Sequence, residues 1–318
     1  MPGKETATEI GQLKQLADRP EEQAAFAVTL LTPRHRRDVL QAALDVLAQA
    51  EYAPARDAIL ALYRHYAEKG EMRDPGCYMR RSVLRAWRPL ARPDDVPLLL
   101  AAVNTYEFLP PDFKEEAILL RAGALVILND LDETLARFHA ARLLDDGYAD
   151  AMSGEPALTA ARVLASQDQA VALYAYAMRH GDTLGDVVSE CLRSLTDMPT
   201  ALVPSLLTRH ADSTESIVLV GLFDLLLNHR EGPLGRAFLD DYLREGADPD
   251  AYRYLAMTVI ARGDELLVDT LLTAARLEQD PDKVAIMAEA LALLSTPEAD
   301  EIRAQLNSRL QPRTRRRR

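Results

Sequence analysis

Glycine and aromatic side chains are scarce in this chain of 318 residues: 14 glycines, 6 phenylalanines, 11 tyrosines and one tryptophan. The apolar share of 48% is carried mainly by Ala and Leu rather than by Val, Ile and aromatics, which argues against a β-rich fold and for helix. Only two cysteines occur, Cys77 and Cys191, far apart, so a disulfide framework is excluded and no Cys/His spacing suits zinc. The longest apolar run, residues 217–227, is interrupted by Asp224 and is too short to span a bilayer. The N-terminal stretch MPGKETATEIGQLKQLAD lacks the apolar core of a secretory signal, so a reducing cytoplasm is the expected setting and no membrane partner is expected. No HExxH, GxSxG, glycine-rich phosphate loop or Cys–His pairing appears, so neither a catalytic motif nor a cofactor is expected.

Charge is short on one side of the chain. Residues 1–100 hold 15 basic and 14 acidic side chains, whereas residues 101–312 hold 17 against 35. Such an acidic stretch repels nucleic acid and attracts basic surfaces. The tail reverses the sign with Arg313, Arg315, Arg316, Arg317 and Arg318.

What is present is repetition. Residues Met79 to Val103 read as a helix with Val83, Leu84, Trp87 and Leu90 on one face, a break at Arg92-Pro93-Asp94, and a second helix with Val96, Leu99, Leu100 and Val103. One such pair cannot bury its own apolar surface and needs copies alongside. Equivalent positions fall near Trp87, Leu128, Leu164, Leu195, Leu226, Ile260 and Leu293, at gaps of 41, 36, 31, 31, 34 and 33 residues. Periods in that range predict an all-α fold, an α-α superhelix (solenoid) of about eighteen helices in antiparallel pairs. Residues 1–70 are expected to form an N-terminal helical cap, 71–310 the repeat array and 311–318 a disordered Arg-rich tail. A loop is expected over 71–76 and a helix over 112–128, whose Leu120-Arg121 aligns with Met79-Arg80.

Two units carry a family likeness. Met79-Arg80, Val83, Leu84, Trp87, Pro93, Val96-Pro97 and Leu99-Leu100 resemble a HEAT repeat, as do Cys191, Leu192, Leu195, Asp197, Val203-Pro204 and Leu206-Leu207. The likeness is to the short bacterial form typical of phycobilisome-lyase-like HEAT proteins. Residues 251–281 are also similar to a tetratricopeptide repeat, with Leu255, Ala256, Gly263-Asp264 and Ala275 at its offsets but without its second-helix aromatic. The resemblance implies a solenoid whose second helices line a concave face. It transfers no catalytic residue, because a repeat motif specifies packing.

Several groups stand out as contact candidates. Arg81, Arg85, Arg88 and Arg92, spaced by 4, 3 and 4, would share one helix face and attract phosphate or an acidic protein patch. Alternatively they are outer polar positions paired with Asp74, Asp94, Asp95 or a neighbouring repeat. Asp145 and Asp146 share one loop with Asp150, and Asp240 and Asp241 open a second acidic group; solvated loops and helix caps are the plainer explanation of both. Tyr174 and Tyr176, like Tyr252 and Tyr254, alternate by two, which points one ring of each pair inward and the other out. Trp87 reads as core. The histidines are solitary, and no His-Glu pair recurs as in the di-iron hydroxylases built on HEAT repeats.

The function these features favour is a non-catalytic scaffold binding a protein with a basic surface on its concave face. The alternative is nucleic-acid binding through Arg81–Arg92 or the tail, in the manner of HEAT-like alkylpurine glycosylases, with Arg34, Arg36 and Arg37 contributing. A chromophore-lyase role follows from the family likeness alone, with no residue to speak for it.

Overall fold

The computed structural model describes residues 2–310, with side chains from residue 9 onward, so the tail arginines Arg313 and Arg315–Arg318 lie outside the described residues. The chain divides between Asp168 and Gln169 into two compact units. Both are helical, apart from one short hairpin in the first.

Unit 1 contains α1 (Pro2–Gln15), α2 (Pro20–Leu30), α3 (Arg37–Ala50), α4 (Arg56–Ala67), the one-turn α5 (Gly70–Arg73), α6 (Tyr78–Trp87) and α7 (Val96–Val103). The hairpin β1 (Phe108–Leu109) and β2 (Lys114–Glu115) follows, then α8 (Ile118–Leu131), α9 (Glu133–Leu144) and α10 (Ala157–Ser166). Alternate helices touch in sequence order. α1, α3, α6, α8 and α10 form one row, and α2, α4, α7 and α9 pack against it. Their shared core includes Leu40, Leu44, Ile59, Val83, Trp87, Leu99, Leu125 and Leu128.

Unit 2 contains α11 (Ala170–Arg179), α12 (Gly185–Arg193), α13 (Val203–His210), α14 (Ser216–Asn228), α15 (Arg236–Glu245), α16 (Pro249–Arg262), α17 (Glu265–Leu277), α18 (Pro281–Leu291) and α19 (Pro297–Leu310). Here α12, α14, α16 and α18 touch in order, with the odd-numbered helices against them.

Local chemistry sets the helix ends. Asp132, Asp248, Asp264 and Asp280 each accept backbone N–H bonds as N-caps. Prolines occupy the first turn of α2, α7, α13, α16 and α18, where the missing N–H is no loss. Gly263 ends α16 in the left-handed region at φ 69°. Polar rungs tie neighbouring helices of a row: Arg85 to Asp45 and Arg88 to Asp130 in unit 1, Arg193 and Tyr254 to Asp224 in unit 2.

Three expectations change. The helix expected over 112–128 starts at Ile118, because the Glu115 carboxylate turns inward and accepts from the N–H of Glu107 at 3.0 Å and of Ala117 at 2.8 Å. That pins 114–117 against the chain at Glu107 instead of winding it into helix. The loop expected over 71–76 holds α5 and a 3-10 turn, Pro75–Cys77. Finally, α6 stops at Trp87, since Pro89 interrupts it; a 3-10 turn covers Arg88–Leu90, and Ala91 is extended.

Candidate functional site

Two buried arginines anchor the helices of unit 1. Arg80 falls on the apolar stripe of α6, three residues before Val83, and its neighbours meet it with carboxylates. Asp74 accepts from the backbone N–H of Met79 and Arg80, both at 2.9 Å, and from Arg80 Nε at 3.2 Å. Glu107 receives the two terminal nitrogens at 2.6 and 2.8 Å. Burial alone would lower the Arg80 pKa, but the bonds and charges of Glu107, Cys77 and Asp74 outweigh it and hold the guanidinium above its ordinary value. Cys77 donates to Glu107 at 3.4 Å, and burial pushes its thiol far up, so it offers no thiolate nucleophile.

Arg121 repeats the device on α8. Its guanidinium is fully buried, 2.7 Å from Glu115 and 3.3 Å from Asp146, and its Cζ lies 4.0 Å from the centroid of the Tyr106 ring. In both cases one carboxylate stands six residues before the arginine, at Asp74 and Glu115. The alignment of Met79-Arg80 with Leu120-Arg121 therefore marks a structural pair of clamps.

Between these anchored helices runs a recess. It holds about 470 Å³, lined by Leu84 of α6 and Leu119, Ala122, Gly123, Val126 and Ile127 of α8, with Arg81, Arg85 and Arg88 along it. Gln41 of α3 and Thr159 of α10 reach its edges. A second recess of about 150 Å³ shares Tyr78, Arg81 and Leu119 with it and adds Lys114. A third, of about 260 Å³, shares Tyr78 and Lys114 and adds Pro110 and Pro111. Together they make one trough from Arg88 to the hairpin.

The arginine stripe is thus brought together in part. Arg81, Arg85 and Arg88 share the trough, whereas Arg92, beyond the end of α6 and exposed, does not line it. Arg85 and Arg88 are held by Asp45 and Asp130, the latter at 2.8 Å. Arg81 has no carboxylate partner among the described residues; its guanidinium sits 6.0 Å from the Tyr78 ring. Asp74 and Asp95 are spent elsewhere, on Arg80 and Arg56, and Asp95 also accepts from the Trp87 indole at 3.0 Å. Trp87 is core, 5.2 Å from Tyr63.

The other candidates scatter. Asp146 is a clamp for Arg121 and accepts from the Tyr106 hydroxyl at 3.0 Å, so it faces inward and offers no partner surface; Asp145 beside it is exposed. Tyr176 is buried against His180, ring centroids 4.1 Å apart, and is core; Tyr174 is half-buried. Tyr252 likewise points inward, donating to the Leu243 carbonyl at 2.8 Å. Asp240 accepts from Thr270 at 2.8 Å, while Asp241 is exposed beside Arg244 at 3.6 Å. Arg36 pairs with Asp38 at 2.9 Å and Arg37 donates to the Arg73 carbonyl; neither they nor Arg34 line the trough.

The sequence reading overlooked the apolar lining. On α8 the buried stripe of Leu120, Ala124, Leu125 and Leu128 is bordered by a second line in which Leu119 is exposed, Gly123 and Val126 are half-buried and Ala122 is buried. The signal was legible: ILLRAGALVILNDL is apolar on every side of the helix. Among the described residues no group of three or more His, Cys, Asp or Glu side chains is placed to hold a metal ion, and no helix is long and apolar enough to cross a membrane. No protein-family model, curated protein or solved structure matches the chain.

Proposed function

We propose that the protein is a non-catalytic interaction scaffold, each unit a stretch of α-solenoid built from HEAT-like pairs, and that a partner protein docks in the Arg81–Lys114 trough of unit 1. The observation that carries this reading is the second apolar stripe of α8. An exposed Leu119 with half-buried Gly123 and Val126, beside a row of cations, is what a partner covers. The docking face is then the one made by α6 and α8, first helices of their pairs, rather than by second helices. Nucleic acid fits less well: the Leu119, Gly123 and Val126 lining beside the cations gives a phosphate backbone nothing to bind. Cys77 and Cys191, both buried and unpaired, suit a reducing compartment.

A second contact, with a basic surface, is favoured on unit 2, where residues 169–310 hold 12 basic against 23 acidic side chains. The test is a pull-down from native lysate with wild-type protein and Leu119→Glu, with and without nuclease, at low and high salt. A protein retained after nuclease by wild type and lost by Leu119→Glu supports the trough. Material retained only without nuclease makes the protein a nucleic-acid binder and overturns the reading.

A further inference from the structure

We infer that the occupant of the trough is an amphipathic α-helix of the partner, apolar on one face and edged with carboxylates. This rests on the scaffold reading and adds the chemistry of the partner to it. The trough runs along two helices of one row, so its recognition groups repeat at helical intervals. At about 1.5 Å of rise per residue, Arg81 and Arg85 are offset by about 6 Å along α6, and Arg85 and Arg88 by about 4.5 Å. Carboxylates spaced 4 and 3 on a helix laid alongside keep step with that series. On an extended strand, same-face residues recur every ~6.6 Å and fall out of step at the second interval. The apolar groups obey the same interval. Leu119, Gly123 and Val126, the part of the α8 lining that is not buried, recur at four and three, the spacing into which anchors of a groove-bound helix fit.

Charge selects the sign of the edge. Arg85 and Arg88 are oriented by Asp45 and Asp130, which leaves Arg81 as the trough cation for which the described residues supply no carboxylate. Along α6, three arginines against two aspartates leave the lining positive, whereas towards the hairpin Glu116 and Asp150 stand beside Lys114, so the cationic stretch is the one from Arg81 to Arg88. An incoming carboxylate beside Arg81 forms a pair against an apolar lining, where screening by solvent is weaker than on an open surface. A helix edged with lysine would meet repulsion there.

The experiment uses full-length protein and fluorescein-labelled probes read by anisotropy. One probe is an amphipathic peptide of about 20 residues, ~30 Å as a helix, with a leucine face and glutamates spaced 4 and 3 beside it. Its counterparts are the same peptide with lysine for glutamate, a scrambled peptide of equal composition, and a single-stranded DNA oligonucleotide. The proteins are wild type, Arg81→Glu, Leu119→Glu and, as a control on an exposed site of α9, Phe138→Glu. Urea unfolding checks that each variant folds.

The acidic peptide is expected to bind at least about tenfold tighter than its lysine and scrambled counterparts. Arg81→Glu and Leu119→Glu each weaken it about tenfold, and Phe138→Glu leaves it unchanged. Equal binding of the lysine or scrambled peptide overturns the inference, as does DNA that displaces the acidic peptide or indifference of the peptide to Leu119→Glu. If no peptide binds while wild type still retains a nuclease-resistant partner that Leu119→Glu loses, the helix inference fails and the scaffold reading stands. Loss of both results removes both.

Discussion

Arg80 and Arg81 are neighbours in sequence with opposite surroundings. Arg80 is buried between Asp74 and Glu107; Arg81 opens onto the trough. Removing the buried partner leaves two carboxylates without their cation, which costs about 3–5 kcal/mol. Arg80→Met is therefore expected to lower the urea midpoint sharply, whereas Arg81→Ala changes stability by no more than about 0.5 kcal/mol. Equal effects of the two would contradict the placement of the clamp. His210 offers a pH test in unit 2. Burial holds its imidazole below the ordinary 6.5, the Ala177 carbonyl opposes this, Arg209 adds to it and Asp182 opposes it. The folded chain thus binds this proton more weakly than the unfolded chain. Its contribution to stability is complete above about pH 6.5 and declines as pH falls towards the lowered folded value. Urea midpoints measured across that window should fall with pH, and His210→Gln should flatten the decline; an unchanged slope in the variant would count against it.

The helices were legible because spacings of three and four put Val83, Leu84 and Trp87, or Leu192 and Leu195, on one face. What escaped was what depends on groups distant in sequence. The turn at 114–117 exists because Glu115 meets Arg121 and the N–H of Glu107, which no local pattern shows. Arg92 departs from the stripe for a local reason: Pro89 ends the helix before the fourth arginine can join the other three. The trough was half legible, its cations from their spacing but not its apolar lining, which needed α8 to be read on all its sides. The same packing makes two helical glycines behave differently. A methyl group at Gly221 of α14 would lie 2.6 Å from Ser189 Cα and 2.7 Å from its carbonyl oxygen in α12. Gly221→Ala must push two backbones apart and is expected to destabilise unit 2 by about 1–3 kcal/mol. At Gly123 of α8 the added methyl meets Leu84 at 3.4 Å, an ordinary contact. Gly123→Ala is expected to be neutral or stabilising by up to ~1 kcal/mol, the helix preference of Ala over Gly. Thermal unfolding of both variants checks the contrast, and a shared loss would contradict it.

Across the chain, charge is divided unequally between the two units. Unit 1 carries the cation-lined trough, and unit 2 the larger acidic excess. Contacts made through either should weaken with salt, those of the trough less steeply because an apolar lining shares the work. The sequence shows the acidic excess from residue 101 onward but reads 71–310 as one array, with no boundary at Asp168 and Gln169. It could not say which face of a pair would meet a partner, because that depends on side chains that α3, α6, α8 and α10 bring together across Gln41–Thr159. The most direct measurement is site-specific photocrosslinking in the native cell, with a benzophenone side chain at Leu119 or, for comparison, at Leu266 of α17, which is 62% exposed. A protein crosslinked from Leu119, reduced by Arg81→Glu and absent from Leu266, is the expected result. Crosslinks from Leu266 with none from Leu119, or from Leu119 regardless of Arg81, would contradict docking in the trough.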